Sequence, residues 1–415
     1  MSMLLVVALA FGVAACTVGM PKAEHATINW TETYQQIDGF GASSANNPVL
    51  RAVTDEQADL FFDATKGAGL SLLRTQIHPD GSSTEIVTAQ KAVARGALVW
   101  GSPWSPSANY KTNGNVNNGG HLLRSEYGAW AHTLAAYVKM MRTNGVPLYA
   151  ISVQNEPDIS IDYESCLYTP QEMHDFVPYL YSALQEAGVG STKIMIAEDS
   201  EWRIDLAKAA IADPNVAKDV GVVAAHGYLA KIQPYKTGSA HLWETEVYDR
   251  EISHYDGGIT EGLRWASTIH KFLTVAGVNA WHYWGLRTDD NDNGGLTDLN
   301  GNPAKRLYIL GQWSKFVRPG WIRIGVGYSG SLQITAFKDP GSQSFAIVVV
   351  NPGSGAITEK VTLNGITTSM VTPWITSAGL SLSAQDPVTV NGSAFSYTIP
   401  SLSVATFYGA VSKTN

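Results

Sequence analysis

Two stretches of this sequence place carboxylates where paired acid and base chemistry would need them. In 150–158, Ala-Ile-Ser-Val-Gln-Asn-Glu-Pro-Asp, a mostly apolar run with β-branched Ile151 and Val153 reads as a strand buried on both faces. It delivers Asn155 and Glu156 at its C-terminal tip, and Pro157 ends it. In 241–249 a second run carries Glu244 and Glu246, which strand alternation puts on one face. Position alone favours Glu246, the nearer of the two to the tip. Two carboxyl groups about 5–5.5 Å apart, one nucleophile and one acid/base, are what hydrolysis of a glycosidic bond with retention requires. Glu198 and Asp199, after another apolar run, form a third acidic cluster and read as hydrogen-bonding groups of a cleft wall.

Other chemistries find less support. No Gly-x-Ser-x-Gly elbow joins a strand to a helix, and no glycine-rich dinucleotide fingerprint opens a helix. His78 and Asp80 share a strand-end loop, but no third ligand stands at zinc spacing. His78 and His226 therefore read as hydrogen-bonding residues, and neither a metal nor a cofactor is expected. The net charge is −8 and the 28 Lys and Arg form no basic block, which argues against nucleic acid or an anionic membrane surface as partner. Aromatic residues make up 10% of the chain, with 12 Trp, several of them at strand ends. There they either pack the core or offer stacking platforms for the apolar faces of sugars.

The elements that would position these groups follow a repeating order. The chain has 415 residues, 45% hydrophobic and 15% charged, ample for a large core and too apolar for disorder. From Gly39-Phe40-Gly41 onward, apolar strands are expected at 39–44, 70–77, 97–102, 148–153, 193–197, 221–226, 242–247 and 279–286. Helical patterns are expected at 54–68, 83–95, 125–144, 169–188, 203–212 and 259–275. The helix after Glu156 is the best marked, with Thr169 as N-cap, Pro170 at the first position and Glu172 completing a capping box. Eight such units make a (β/α)8 TIM barrel over 39–318, with strand tips as the natural place for chemistry. Beyond 319 the period changes to two, with turn residues such as Asn351-Pro352-Gly353 between short strands. A side β-sandwich is expected over 319–412, joined by N-terminal strands at 26–38, two short ones around a turn. Residues 1–15 are an apolar leader too short to span a membrane stably, and Val13-Ala14-Ala15-Cys16 reads as a lipobox with a linker at 16–25. The protein is thus expected to be exported, secreted or lipid-anchored through Cys16, and monomeric. Cys166 is the other cysteine, so no intrachain disulfide is expected in the mature chain.

Seven motifs occur in order: GFG at 39–41, LSLLR at 70–74, SPWSP at 102–106, YAISVQNEPD at 149–158, LWETEVYD at 242–249, SKFVRPG at 314–320 and WITS at 374–377. Together they resemble glycoside hydrolase family 30, and within it the bacterial xylanases of subfamily 8. The resemblance implies a retaining barrel enzyme acting on a polysaccharide such as xylan, with Glu156 as acid/base and Glu246 as nucleophile. It further implies that Asn155 bonds the 2-OH of the sugar at the cleavage point, and that Trp104, Tyr228 and Trp284 line subsites by stacking. The sequence departs from the subfamily after the eighth strand. Subfamily 8 glucuronoxylanases carry an Arg-Arg pair there, whose second Arg clamps the carboxylate of a glucuronic acid branch. Here Arg287 is followed by Thr288, then by Asp289, Asp290 and Asp292. The segment Tyr248-Asp249-Arg250 also differs from that subfamily. An endo-β-1,4-xylanase that does not depend on such branches is expected. The alternatives are a β-1,6-galactanase or β-1,6-glucanase of the same family, or a non-catalytic glycan-binding lipoprotein.

Overall fold

The computed structural model describes residues 22–45, 52–228, 231–252, 254–288 and 291–412. The expected leader and Cys16 lie outside them. Eight parallel strands form the barrel: β1 Gly39–Ser43, β2 Leu72–Ile77, β3 Leu98–Pro103, β4 Leu148–Ser152, β5 Lys193–Asp199, β6 Val220–Ala225, β7 His241–Glu244 and β8 Ala280–Arg287. Each pairs with the next, and β8 returns to β1, closing the ring. The glycines of the first motif have a steric cause. A Cβ on Gly41 would stand 2.4 Å from the Leu72 carbonyl oxygen and 2.9 Å from the His282 ring, so β1 fits between its neighbours only without one.

The barrel is filled rather than hollow. Leu72, Trp100, Ala150, Met195, Val222, Ala224, Trp243 and Ala280 form one buried cluster inside it. Trp100 meets Trp243 edge to face at 6.1 Å, and Tyr149 stacks on Trp243 at 5.7 Å. The Trp243 indole N–H donates to Asp38 at 2.7 Å, so its polar atom is satisfied below this layer.

The helix Pro170–Glu186 begins with the expected capping box of Thr169 and Glu172. The expected helix 203–212 is instead a 3-10 turn Asp205–Ala207, a short helix Lys208–Ala212 and a further turn Pro214–Ala217. Pro214 is the reason: it forces Asp213 into an extended conformation, and Asp213 then caps the new turn. The helix expected at 259–275 is regular over Ile259–Lys271 and widens into a π turn, Phe272–Ala276, before Gly277 at φ 72°. No helix among the described residues is long and apolar enough to cross a membrane.

The side domain is one curled mixed sheet of ten strands. Its ends curl toward each other around a shared core that includes Phe345, Ile347, Phe395 and Phe407. Residues 22–25, expected as linker, already belong to its strand Lys22–Gln36. That strand runs parallel to Ile357–Asn364 and antiparallel to Ile322–Tyr328. The turn expected between 30 and 34 is two register shifts within this single strand, flanking Thr33. The sheet is fastened to the last barrel helix, Lys305–Ser314. Gln312 Nε2 donates to Thr376 at 2.8 Å, Thr406 Oγ1 donates to Gln312 Oε1 at 2.6 Å, and Trp313 donates to Thr335 at 3.1 Å.

Candidate active site

The C-terminal ends of the strands surround a cleft of about 820 Å³ lined by Gln76, His78, Trp104, Asn155, Glu156, Tyr163, Glu164, Glu246, Tyr248, Arg250 and Trp284. Glu156 stands beyond β4, its N–H bonded to the Glu198 carbonyl at 3.1 Å. Its φ of 42° is in the left-handed region, a strained position of the kind that collects at functional sites. Glu246 stands two residues beyond the end of β7. Carboxylate oxygens of Glu156 and Glu246 lie within 4.8 Å of each other.

Arg74, on β2, is the hub beneath both. Fully buried, its guanidinium donates to Glu246 Oε2, Asn155 Oδ1 and Glu198 Oε1, and it lies under the Trp104 ring at 4.6 Å. Asn155 is thereby oriented with its carbonyl oxygen inward and its amide toward the cleft. Tyr228 donates to the other Glu246 oxygen at 2.8 Å. His226 Nδ1 bonds Glu156 at 3.0 Å, and its Nε2 lies 3.6 Å from Glu198 and 3.7 Å from Glu246.

These charges set one another. Burial alone would strip His226 of its proton; the Glu246 charge, the bond to Glu156 and the Glu198 carboxylate 3.6 Å away reverse that and push it up to about 10. Burial alone would protonate Glu246, but the His226 and Arg74 charges, with the bonds from Arg74 and Tyr228, hold it below the usual carboxylate range. Glu198 is likewise held down against its burial by Arg74 and His226. Glu156, His226 and Glu246 have the proximity of a metal-binding cluster. A cation there would have to displace the His226 proton and face the Arg74 guanidinium, so the donor set is poorly suited to one.

Glu244 does not share a face with Glu246. It is fully buried behind it, where its two oxygens accept the backbone N–H groups of Glu246 at 3.0 Å and His282 at 2.9 Å. Burial pushes Glu244 up to about 8. His282 is held down to about 3 by burial; its Nε2 accepts from Trp100, which leaves Nδ1 to donate to the Glu244 carbonyl. Glu198 is not in the cleft wall either. A register shift between Ala197 and Asp199, with Ala197 and Glu198 at φ 69° and 61°, turns it inward onto Arg74, Ser102 and Ser152.

Trp104 and Trp284 line the cleft, their rings 6.4 Å apart. Tyr228 offers no open stacking face: Arg250 covers its ring at 3.6 Å and its hydroxyl is committed to Glu246. Arg250, half-exposed, also stands 3.6 Å from Glu156 and 4.0 Å from Glu246. Arg287 turns away from the cleft to donate to the Leu299 carbonyl, and Thr288 donates to Asp292 at 2.6 Å. Asp289 and Asp290 lie outside the described residues. Sequence reasoning gave Arg74 no role, although a lone cation within an apolar strand must find buried carboxylates, and that was the available signal.

Residues 83–262 match the family description "Glycosyl hydrolase family 30 TIM-barrel domain". The chain is 30% identical over 406 residues to glucuronoxylanase XynC of Bacillus subtilis strain 168, covering 93% of this chain and 92% of that protein. It is similar in structure to Xyn30A of Clostridium acetobutylicum, a xylanase of glycoside hydrolase family 30 subfamily 8, with a TM-score of 0.84 at 31% identity over 93% of this chain and 100% of that one. A family 30 endoxylanase from Clostridium papyrosolvens C71 gives 0.80 at 28% identity, over 93% and 100%.

Proposed function

The chain belongs to glycoside hydrolase family 30, a retaining family, and from that premise we propose that it is an endo-β-1,4-xylanase that does not depend on glucuronic acid branches. The observation that carries the catalytic half is the pair Glu156 and Glu246, with oxygens within 4.8 Å, close to the separation retaining chemistry uses. Glu246, held ionised by His226, Arg74 and Tyr228, attacks the anomeric carbon and forms a glycosyl ester. Glu156 gives its proton to the leaving oxygen, then takes one from the water that opens the ester. Asn155, its carbonyl fixed by Arg74, presents its amide to the sugar 2-OH, and Trp104 and Trp284 hold neighbouring sugars. Branch independence rests on Thr288 in the place expected of a clamping arginine, amid Asp289, Asp290 and Asp292.

Arg250 favours a second reading. It is a half-exposed cation at the cleft mouth, within reach of an acidic substituent on the chain being cut. Product profiles separate the two. The first reading expects cleavage of unbranched arabinoxylan and, on methylglucuronoxylan, products not fixed relative to the branches; products of one fixed register would overturn it. Activity on β-1,6-galactan or β-1,6-glucan alone would move the enzyme to another specificity within the family. Glycan binding without turnover on any of these substrates would favour a binding lipoprotein. We also propose export with a lipid at Cys16; labelled palmitate in the wild type but not in Cys16→Ser is the expected outcome.

A further inference from the structure

A second cleft, of about 700 Å³, opens where the barrel meets the side sheet. Its barrel wall includes Thr65 and Lys315, and beside them Arg318 donates to the Gly69 carbonyl just ahead of β2. The cleft therefore lies at the N-terminal end of the barrel strands, opposite the glutamates. Aromatic rings dominate it. Phe316 packs 5.4 Å from Trp374 and 5.7 Å from Tyr408, while Trp321 and Tyr408 lie 6.5 Å apart and within 23° of parallel. Phe316 and Trp321 are buried, whereas Trp374 and Tyr408 keep part of their surface in solvent.

The polar groups around these rings divide cleanly. The Lys315 ammonium, 5.2 Å from the Trp374 ring, donates to the carbonyls of Ala64, Thr65 and Gly67. Arg318 is committed to Gly69 and Ser314, and Asp339 to its own turn at Gly341 and Ser342. Among the described residues, the Trp374 indole N–H and the Tyr408 hydroxyl make no hydrogen bond. The cleft thus offers ring faces and neutral donors, with its charges already spoken for. A charged ligand would find no free counter-charge, and an apolar segment would leave the donors unmet. A neutral sugar chain meets both needs, laying its CH faces on rings and its hydroxyls on the donors.

We propose that this cleft is a second, non-catalytic binding site for a neutral oligosaccharide, the glycan cut in the barrel. It rests on the xylanase reading for the identity of that glycan. The test is titration of the full-length Glu246→Gln protein with xylohexaose, by calorimetry and by the NMR shift of the Trp374 indole. Two binding events are expected, with Trp374→Ala in the same background losing one of them. With Glu246 intact, Trp374→Ala should keep its kcat/KM on a short aryl xyloside while losing several-fold in retention on insoluble xylan. A single event unchanged by Trp374→Ala overturns the proposal alone. No binding in either protein overturns the xylan reading, and the ligand named here with it. If Trp374→Ala does not fold, the pair Trp374→Phe and Tyr408→Phe preserves the packing and removes both donors; unchanged binding of two equivalents would then overturn the proposal.

Discussion

Glu246 keeps its charge against the pull of its own burial because the His226 and Arg74 charges stand beside it and two donors, Arg74 and Tyr228, each take one of its oxygens. A nucleophile held this way should be irreplaceable by position, and an acid should be replaceable by a better leaving group. Glu246→Ala is expected to lose at least about 10⁴-fold in kcat, with partial rescue by azide, while Glu156→Gln should keep most turnover of activated aryl glycosides. Equal loss at both without rescue would contradict the roles. His226 makes a pH prediction. Its folded value, raised to about 10 by Glu246, Glu156 and Glu198, lies above its unfolded value of about 6.5. Its contribution to stability is therefore full below about pH 6.5 and lost as pH rises through about 10, at no more than about 1.4 kcal/mol per pH unit. Urea midpoints between those limits should fall in the wild type and fall less steeply in His226→Asn.

Elements that announce themselves by local rules were legible in the sequence. The strand before Glu156 and the helix from Pro170 depend on an apolar run, a proline and a cap, all contiguous. Thr169→Ala should cost about 1 kcal/mol, read as a lowered urea midpoint with an unchanged slope. The rest depended on contacts that no local pattern encodes. Strand alternation implied one face for Glu244 and Glu246, but β7 ends at Glu244, and beyond it the backbone follows hydrogen bonds to Glu244 itself. Arg74 looked like an ordinary strand residue because its partners come from β4, β5 and β7. Tyr228 was legible as a strand-end aromatic; that Arg250 would cover its ring was not.

For the molecule as a whole, the decisive contact is the seam between the last barrel helix and the side sheet. Gln312 is buried there and serves hydroxyls of two sheet strands, at Thr376 and Thr406. Gln312→Ala removes both of these side-chain bonds, leaving Thr406 only the residue 312 carbonyl and Thr376 only Tyr308 and Leu382, so a loss of about 1–3 kcal/mol is expected. Barrel and sheet should unfold together in the wild type, with calorimetric and van't Hoff enthalpies agreeing. Two separated transitions in Gln312→Ala would show that this seam carries the coupling.

The strand Lys22–Gln36 adds a constraint in time. Both its partners, Ile322–Tyr328 and Ile357–Asn364, are made after the whole barrel. Whether it emerges from a ribosome or a translocon, this strand must wait, unpaired, until Ile322–Tyr328 appears behind the barrel, and for its second partner until Asn364. Its exposed edges are then a surface a chaperone could hold; premature termination before Ile322 leaves both edges unpaired, and termination between Tyr328 and Ile357 leaves one.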